Sequence, residues 1–325
     1  MRIVVLRTDR LGELLLTLPV VSALRHEANA HVTMVVRDEY AELVRLCPDV
    51  NEVSAVAWPG GRLRWRDTRA LIPLLRSGHF DAAIVANPSK WLHWAVWRAG
   101  IPRRIGYDHK WSWCLTDRLA DDKVAILRHE AEWNLELAKP LGIAGSPSQV
   151  TIAVPETLKQ RMRERLMASG VASGHRLVAL HPWASTLEKR WPVASFQAVA
   201  RQLTAEHGIS IVIIGGREHA DEAAQFCREA GPVINLTAGC DLPELAACLQ
   251  HCQLLISNDS GPVHLAAVVG TPTVTLSGSP HPWQGPGRWR PWGEEHTVLH
   301  RVPIDAIQIQ EVVQAVHEHL SLCRQ

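Results

Sequence analysis

The sequence predicts two α/β domains, and three observations carry that expectation. Short apolar runs alternate with amphipathic segments along the whole chain, which is the pattern of strands layered with helices. A length of 325 residues is enough for two compact cores. Polar turns of small residues follow the apolar runs, at the carboxyl ends of strands where ligands bind in such sheets.

In the first half, the strands are read at Ile3–Leu6, Val32–Val36, Val53–Val56, Ala82–Ala86 and Arg104–Tyr107. In the second half they are Leu177–Leu180, Ile209–Ile214, Val233–Leu236, Leu254–Ser257, Thr273–Leu276 and Thr297–Leu299. Between the halves lies the turn-rich segment Gly142 to Ser148, followed by an extended Val150–Val154. A charged helix from Glu156 to Ala168 opens the second half, and a last helix is read over about Asp305 to Leu322. The domains are therefore set at 1–155 and 170–304, with the helix at 305–325 expected to cross back onto the first.

Composition narrows the function. Hydrophobic residues make up 46% and charged ones 21%, so the chain is globular. A net charge of +1 argues against a nucleic-acid binder held by bulk charge. Seven cysteines without a CxxC pair fit a reducing compartment, and Cys248 and Cys252 read as core thiols. No signal peptide is visible and no apolar stretch approaches the ~18 residues of a membrane span, so a cytoplasmic location is expected. Of the thirteen tryptophans, Trp91, Trp94 and Trp97 recur every three residues, a spacing read as helix packing ahead of a sugar platform.

Three turns carry the chemistry. Residues 256–267, ISNDSGPVHLAA, run from strand through a tight turn into a helix. That order aims free backbone N–H groups at a ligand above the strand end. Gly261 allows close approach, Pro262 suits the first helical turn, and Asp259 and Ser260 can cap the helix or bind a polyol. In His181 to Pro192, Ser185 and Lys189 stand four apart past a strand and suit a diphosphate. At the N-terminus a strand runs into Thr8-Asp9-Arg10-Leu11-Gly12-Glu13, with Glu13 in the first turn of the next helix. No Walker A and no GxGxxG motif appears, so a kinase or dehydrogenase lacks its phosphate grip.

Together these segments resemble glycosyltransferase family 9, the bacterial heptosyltransferase family. Arg10-Leu11-Gly12-Glu13, Lys189-Arg190-Trp191-Pro192, Asn258 to Ala267 and Pro272 to Gly278 match its RLGD, KRWP, NDSGxxHLAA and PTxxLxG patterns in order. The similarity runs from Met1 to about Gly293. It implies the GT-B fold, two Rossmann-like domains facing across a cleft, the first binding the acceptor and the second a nucleotide sugar.

The resemblance also implies roles. Lys189 offsets the charge of the leaving diphosphate, with Ser185 and the turn at Ser260, Gly261 and His264 as further donors. Asp259 binds the donor sugar, Glu218 its ribose, and Thr237 stands where the family lines the base pocket. Glu13 is the general base, where the family has Asp, and Asp9 is its rival. Arg62, Arg64, Arg66, Arg69 and Lys90 hold an anionic acceptor, an exposed loop being the competing reading of the arginines. No obligatory cofactor and no metal site is expected.

The expected activity is inverting transfer of heptose from ADP-heptose to a hydroxyl of an anionic acceptor, a lipopolysaccharide inner-core precursor. The partners are then a nucleotide sugar and a glycan or glycolipid, without nucleic acid. Peripheral contact at the cytoplasmic face of the inner membrane is left open, as is the oligomeric state. The alternatives are a protein or natural-product acceptor, or a catalytically weak sugar-nucleotide-binding protein. The Glu at position 13 favours the last.

Overall fold

The computed structural model describes residues 1–57, 65–145 and 150–322. The chain divides into two compact units, Met1–Ile152 and Ala153–Gln325. The first unit holds β1 (Arg2–Leu6), α1 (Leu11–Leu15), α2 (Leu18–Ala28), β2 (His31–Arg37), α3 (Asp38–Val44), β3 (Glu52–Val56), α4 (Trp65–Ser77), β4 (Ala82–Val85), α5 (Lys90–Arg98), β5 (Arg103–Tyr107), β6 (Asp117–Leu119) and α6 (Glu130–Glu136). Its sheet is ordered β3-β2-β1-β4-β5-β6, and every pairing is parallel.

The second unit holds α7 (Glu156–Ala168), β7 (Arg176–His181), α8 (Val193–Thr204), β8 (Ile209–Ile213), α9 (Ala220–Ala230), β9 (Val233–Asn235), α10 (Leu242–His251), β10 (Leu254–Asn258), α11 (Gly261–Val268), β11 (Thr273–Ser277), α12 (Pro286–Trp289), β12 (His296–His300) and α13 (Ile309–Leu322). Its sheet reads β12-β11-β10-β7-β8-β9, again all parallel. Each sheet is the doubly wound order in which the path reverses at the centre, at β1/β4 in one and β7/β10 in the other.

Parallel strands covered on both faces need continuous apolar runs. Ile3-Val4-Val5-Leu6 and Leu254-Leu255-Ile256 supply them, and all are fully buried. Helix ends follow local chemistry. Asp241 caps α10 by accepting from the Glu244 N–H at 2.8 Å while Glu244 reaches back to the Asp241 N–H, and His129 and Glu132 do the same for α6. On α7, Leu158, Met162 and Leu166 are buried at i+4 spacing. Gly278 is required by close approach, because an added Cβ would stand 3.1 Å from the Ile304 backbone nitrogen.

Within its own unit α13 packs on α8 and on β10, β11 and β12. Val312, Val313, Ala315, Val316 and Leu320 join one core with Phe196, Leu203 and Leu276, so its apolar stripe is spent there. One expectation is corrected: the tryptophan stripe on α5 is not the face that the helix buries. That helix buries Leu92, His93, Ala95 and Val96, whereas Trp91 and Trp94 are half-buried and Trp97 is exposed. Trp91 meets Trp111 edge to face at 5.0 Å, and Trp97 meets Trp113 at 5.3 Å. The stretch read as extended over Val150–Val154 pairs with no strand among the described residues.

Candidate active site

In the first unit, the loops after β1 and β4 flank the point where the strand order reverses. They are stapled together. The Thr8 N–H donates to Asn87 Oδ1, and Asn87 Nδ2 donates to the Thr8 hydroxyl, both at 3.3 Å. Arg7 is buried beneath them and donates to the Ala86 carbonyl at 3.0 Å, to Asn134 at 3.3 Å and to Asp9 at 2.8 Å.

Glu13 sits in the first turn of α1, buried except for an ion pair with the solvent-facing Arg10. Asp9 is half-buried one loop residue from that pair. Burial raises its carboxyl above the usual range; the Arg7 charge opposes this and the Glu13 charge adds to it.

The expected acceptor residues fall on α4, on α5 and outside the described residues. Arg62 and Arg64 lie outside the described residues. Arg66 and Arg69 are exposed on α4 and lie over the Trp65 ring, 5.9 and 5.4 Å from its centre. Lys90 opens α5 at the carboxyl end of β4, with its Nζ 4.7 Å from the centre of Trp91 and 5.3 Å from that of Trp111.

In the second unit the same position in the sheet carries the other motifs. Lys189, in a single 3-10 turn after β7, places its Nζ 3.5 Å from Asp259 Oδ2 after β10. That ion pair spans the reversal point of the second sheet. Asn258, fully buried, holds both loops: its Oδ1 accepts from the Trp191 N–H at 2.9 Å and its Nδ2 donates to the Pro182 carbonyl at 2.7 Å. Trp191 is itself core and donates from Nε1 to the Ile307 carbonyl at 3.0 Å.

Ser260 stands at the N-cap of α11 but does not cap it. Its hydroxyl donates to the Asn258 carbonyl at 3.1 Å and lies 3.2 Å from His181 Nδ1, which also meets Ser257. Gly261 opens α11, and His264 is buried one turn on. Burial holds the His181 imidazole neutral, pushed down to about 3, with the His219 and Arg190 charges adding to the effect.

The remaining donor candidates ring this edge. Ser185 is exposed on the β7 loop, and Glu218 is exposed in the turn after β8. Thr237 follows β9 with its hydroxyl buried and without a hydrogen-bond partner among the described residues. The Ala238 N–H donates to the Gly215 carbonyl at 2.9 Å, joining the β8 and β9 loops.

Sequence reasoning missed the scaffold of this edge. Trp183 stacks on His219 with centres 4.7 Å apart, donates to Glu222 at 2.7 Å and lies against Gly215, where an added Cβ would come within 2.6 Å of the ring. Arg190 ties in through the Ala184 carbonyl at 3.0 Å and Glu222 at 3.8 Å. The one available signal was Asn258 itself, a polar amide closing an otherwise apolar strand. Among the described residues no group of three His, Cys, Asp or Glu could hold a metal ion, and no helix is long and apolar enough to cross a membrane.

Two doubly wound units, each gathering polar loops at its reversal point, define the GT-B fold class. The model of Glycosyltransferase family 9 (heptosyltransferase) matches residues 68–314, and the chain belongs to that family. It is a glycosyltransferase. The chain is 30% identical over 297 residues to a lipopolysaccharide heptosyltransferase 3 of Escherichia coli, covering 86% of this chain and 83% of the relative. It is similar in structure to a family 9 glycosyltransferase from Veillonella parvula, with a TM-score of 0.88, 24% identity and coverage of 98% and 97%. It is also similar to an E. coli heptosyltransferase solved with ADP-2-deoxy-2-fluoro heptose, with a TM-score of 0.76, 21% identity and coverage of 98% and 99%.

Proposed function

We propose that the protein transfers heptose from ADP-heptose, with inversion, to a hydroxyl of an anionic glycolipid of the lipopolysaccharide inner core. The Lys189–Asp259 pair at the reversal point of the second sheet carries this reading. An ammonium there faces the diphosphate as the sugar–oxygen bond breaks, and a carboxylate beside it accepts from sugar hydroxyls. The positive end of the α11 dipole adds to the diphosphate grip, with Ser185 at the rim. Glu218 and the buried Thr237 hydroxyl suit the nucleoside end.

In the first unit Glu13 takes the proton of the attacking hydroxyl. The oxygen bonds to the anomeric carbon, the bond to the diphosphate breaks, and ADP leaves with the electron pair. The ion pair with the solvent-facing Arg10 must open first. Arg66, Arg69 and Lys90 suit carboxylate or phosphate groups on the acceptor. The lysine and the helix N-terminus supply positive charge at the diphosphate, and the proposal includes no obligatory metal. The proposal includes a cytoplasmic location.

Release of ADP from ADP-heptose in the presence of inner-core acceptor tests the proposal. Turnover with a UDP-sugar and none with ADP-heptose would overturn it. The Arg10–Glu13 pair is the observation that favours a sugar-nucleotide-binding protein without turnover. Binding of ADP-heptose with no ADP release under any acceptor would establish that reading instead.

A further inference from the structure

The loop after β6 exposes four consecutive apolar residues, Val124-Ala125-Ile126-Leu127. Val124 is 68%, Ile126 45% and Leu127 59% accessible. Such a run on a soluble surface opposes folding into water unless it has a use.

The loop is held in this posture. At its start Lys123 is buried, ion-paired to Glu130 at 3.0 Å, with its Nζ 4.3 Å from the centre of the Tyr107 ring. At its far end His129 is buried as the cap of α6. Between these pins the Asp122 carbonyl accepts from the Ala125 and Ile126 N–H groups, at 3.0 and 2.9 Å. The backbone of the tip is thus partly satisfied internally, which lowers the cost of taking it out of water.

Beside it runs the loop after β5, joined to β6 where the Asp108 N–H donates to the Leu119 carbonyl at 2.7 Å. That loop carries Trp111, partly exposed and held at a φ of +62° that a bulky side chain seldom adopts. Lys90 lies over Trp111, and His109 and Lys110 precede it.

We infer that the Val124–Leu127 tip inserts into the headgroup–acyl boundary of a phospholipid bilayer, with Trp111 of the loop after β5 as a further amphipathic side chain. Aliphatic tips flanked by tryptophan and lysine suit that boundary, where amphipathic side chains keep their polar ends wet. A second copy of the chain is disfavoured by size: stable protein interfaces engage about 20–30 residues a side, far more than this tip offers. The charges nearby nearly cancel. Lys90, His109, Lys110 and Arg128 stand against Asp108, Asp121 and Asp122, with Arg128 paired to Glu136 at 2.9 Å. Apolar insertion, rather than attraction to anionic lipid, therefore drives the contact. The inference rests on the proposed function only for the lipid nature of the acceptor.

Flotation of the full-length protein with vesicles of phosphatidylethanolamine and phosphatidylglycerol, and with phosphatidylcholine alone, tests it. The protein is expected to float with both. Replacing Val124, Ile126 and Leu127 together by Ser should cut the partition coefficient at least about tenfold at unchanged ADP affinity and melting temperature. Leu127→Trp should raise it. The triple variant should keep its rate on a deacylated, water-soluble acceptor and lose rate on the same acceptor in vesicles. Failure of the wild type to float, or equal flotation of the triple variant, overturns the inference. So does a triple variant equally slow on both acceptors, which would place the tip in the acceptor pocket, or a concentration-dependent dimer that the triple variant abolishes. Absence of any heptose transfer would sink the proposed function and leave the flotation result to decide the tip.

Discussion

Glu13 and Asp9 stand four residues apart, and their surroundings differ. Asp9 is tied to buried Arg7 and burial raises its carboxyl above the usual range, while the partner of Glu13 is a solvated arginine that can swing away. Glu13→Gln should lower kcat about 100-fold or more at unchanged ADP affinity, since the amide keeps its shape but cannot take a proton. Asp9→Asn should act through Arg7 and cost thermal stability. The reverse assignment follows if Asp9→Asn is inactive, normally folded and Glu13→Gln is active. On the donor side, Lys189→Ala should lose about 2–4 kcal/mol of transition-state stabilisation, measured as kcat/KM. Near-normal kcat/KM would remove Lys189 from the reaction. The motifs named most of these residues in the sequence, because their chemistry is carried by residue type and local order. What the motifs could not show is who holds whom. Arg7 on Asn134, or Trp183 on Glu222, joins positions far apart along the chain and leaves no local signature.

At the level of elements, buried parallel strands were legible because each must be an apolar run. β6 was not: Asp117-Arg118-Leu119 is three residues long, lies at the sheet edge and is mostly polar. The tryptophan stripe of α5 misled for a related reason, since a helical period marks a face but not which neighbour covers it. The β8 turn offers a sharp check on packing. Gly215→Ala drives a methyl group into the Trp183 ring, and overpacking of this kind should destabilise by about 1–3 kcal/mol. Chemical denaturation reads it directly, and an unchanged midpoint would mean that the indole has room to move. The same substitution should weaken ADP binding, because Trp183 orders the β7 loop.

The whole molecule should lose stability on mild acidification, chiefly through its second unit. Burial depresses His181 to about 3 and His296 to about 4. In the unfolded chain both take up protons near their ordinary value of about 6.5, while the folded state resists. Their contribution is therefore complete above about pH 6.5 and is lost as pH falls toward 4 and 3. For His181 the loss by pH 5 is about 2 kcal/mol. Unfolding free energies at pH 7 and pH 5 should differ by at least that much, and His181→Gln should remove part of the slope whatever its effect at pH 7. A His181→Gln profile parallel to wild type would show that the imidazole is reached by solvent.

The Asn258 amide has a calorimetric consequence. By bonding to both the Trp191 N–H and the Pro182 carbonyl, it immobilises the two donor loops when the chain folds, so the ordering is complete before a nucleotide sugar arrives. Association should then show little configurational penalty. In Asn258→Ala the loops must be ordered by the ligand itself, and titration calorimetry should record a more unfavourable entropy with the enthalpy largely kept. An Asn258→Asp chain would sharpen the contrast, since its carboxylate accepts from Trp191 but repels the Pro182 oxygen, releasing one loop and retaining the other.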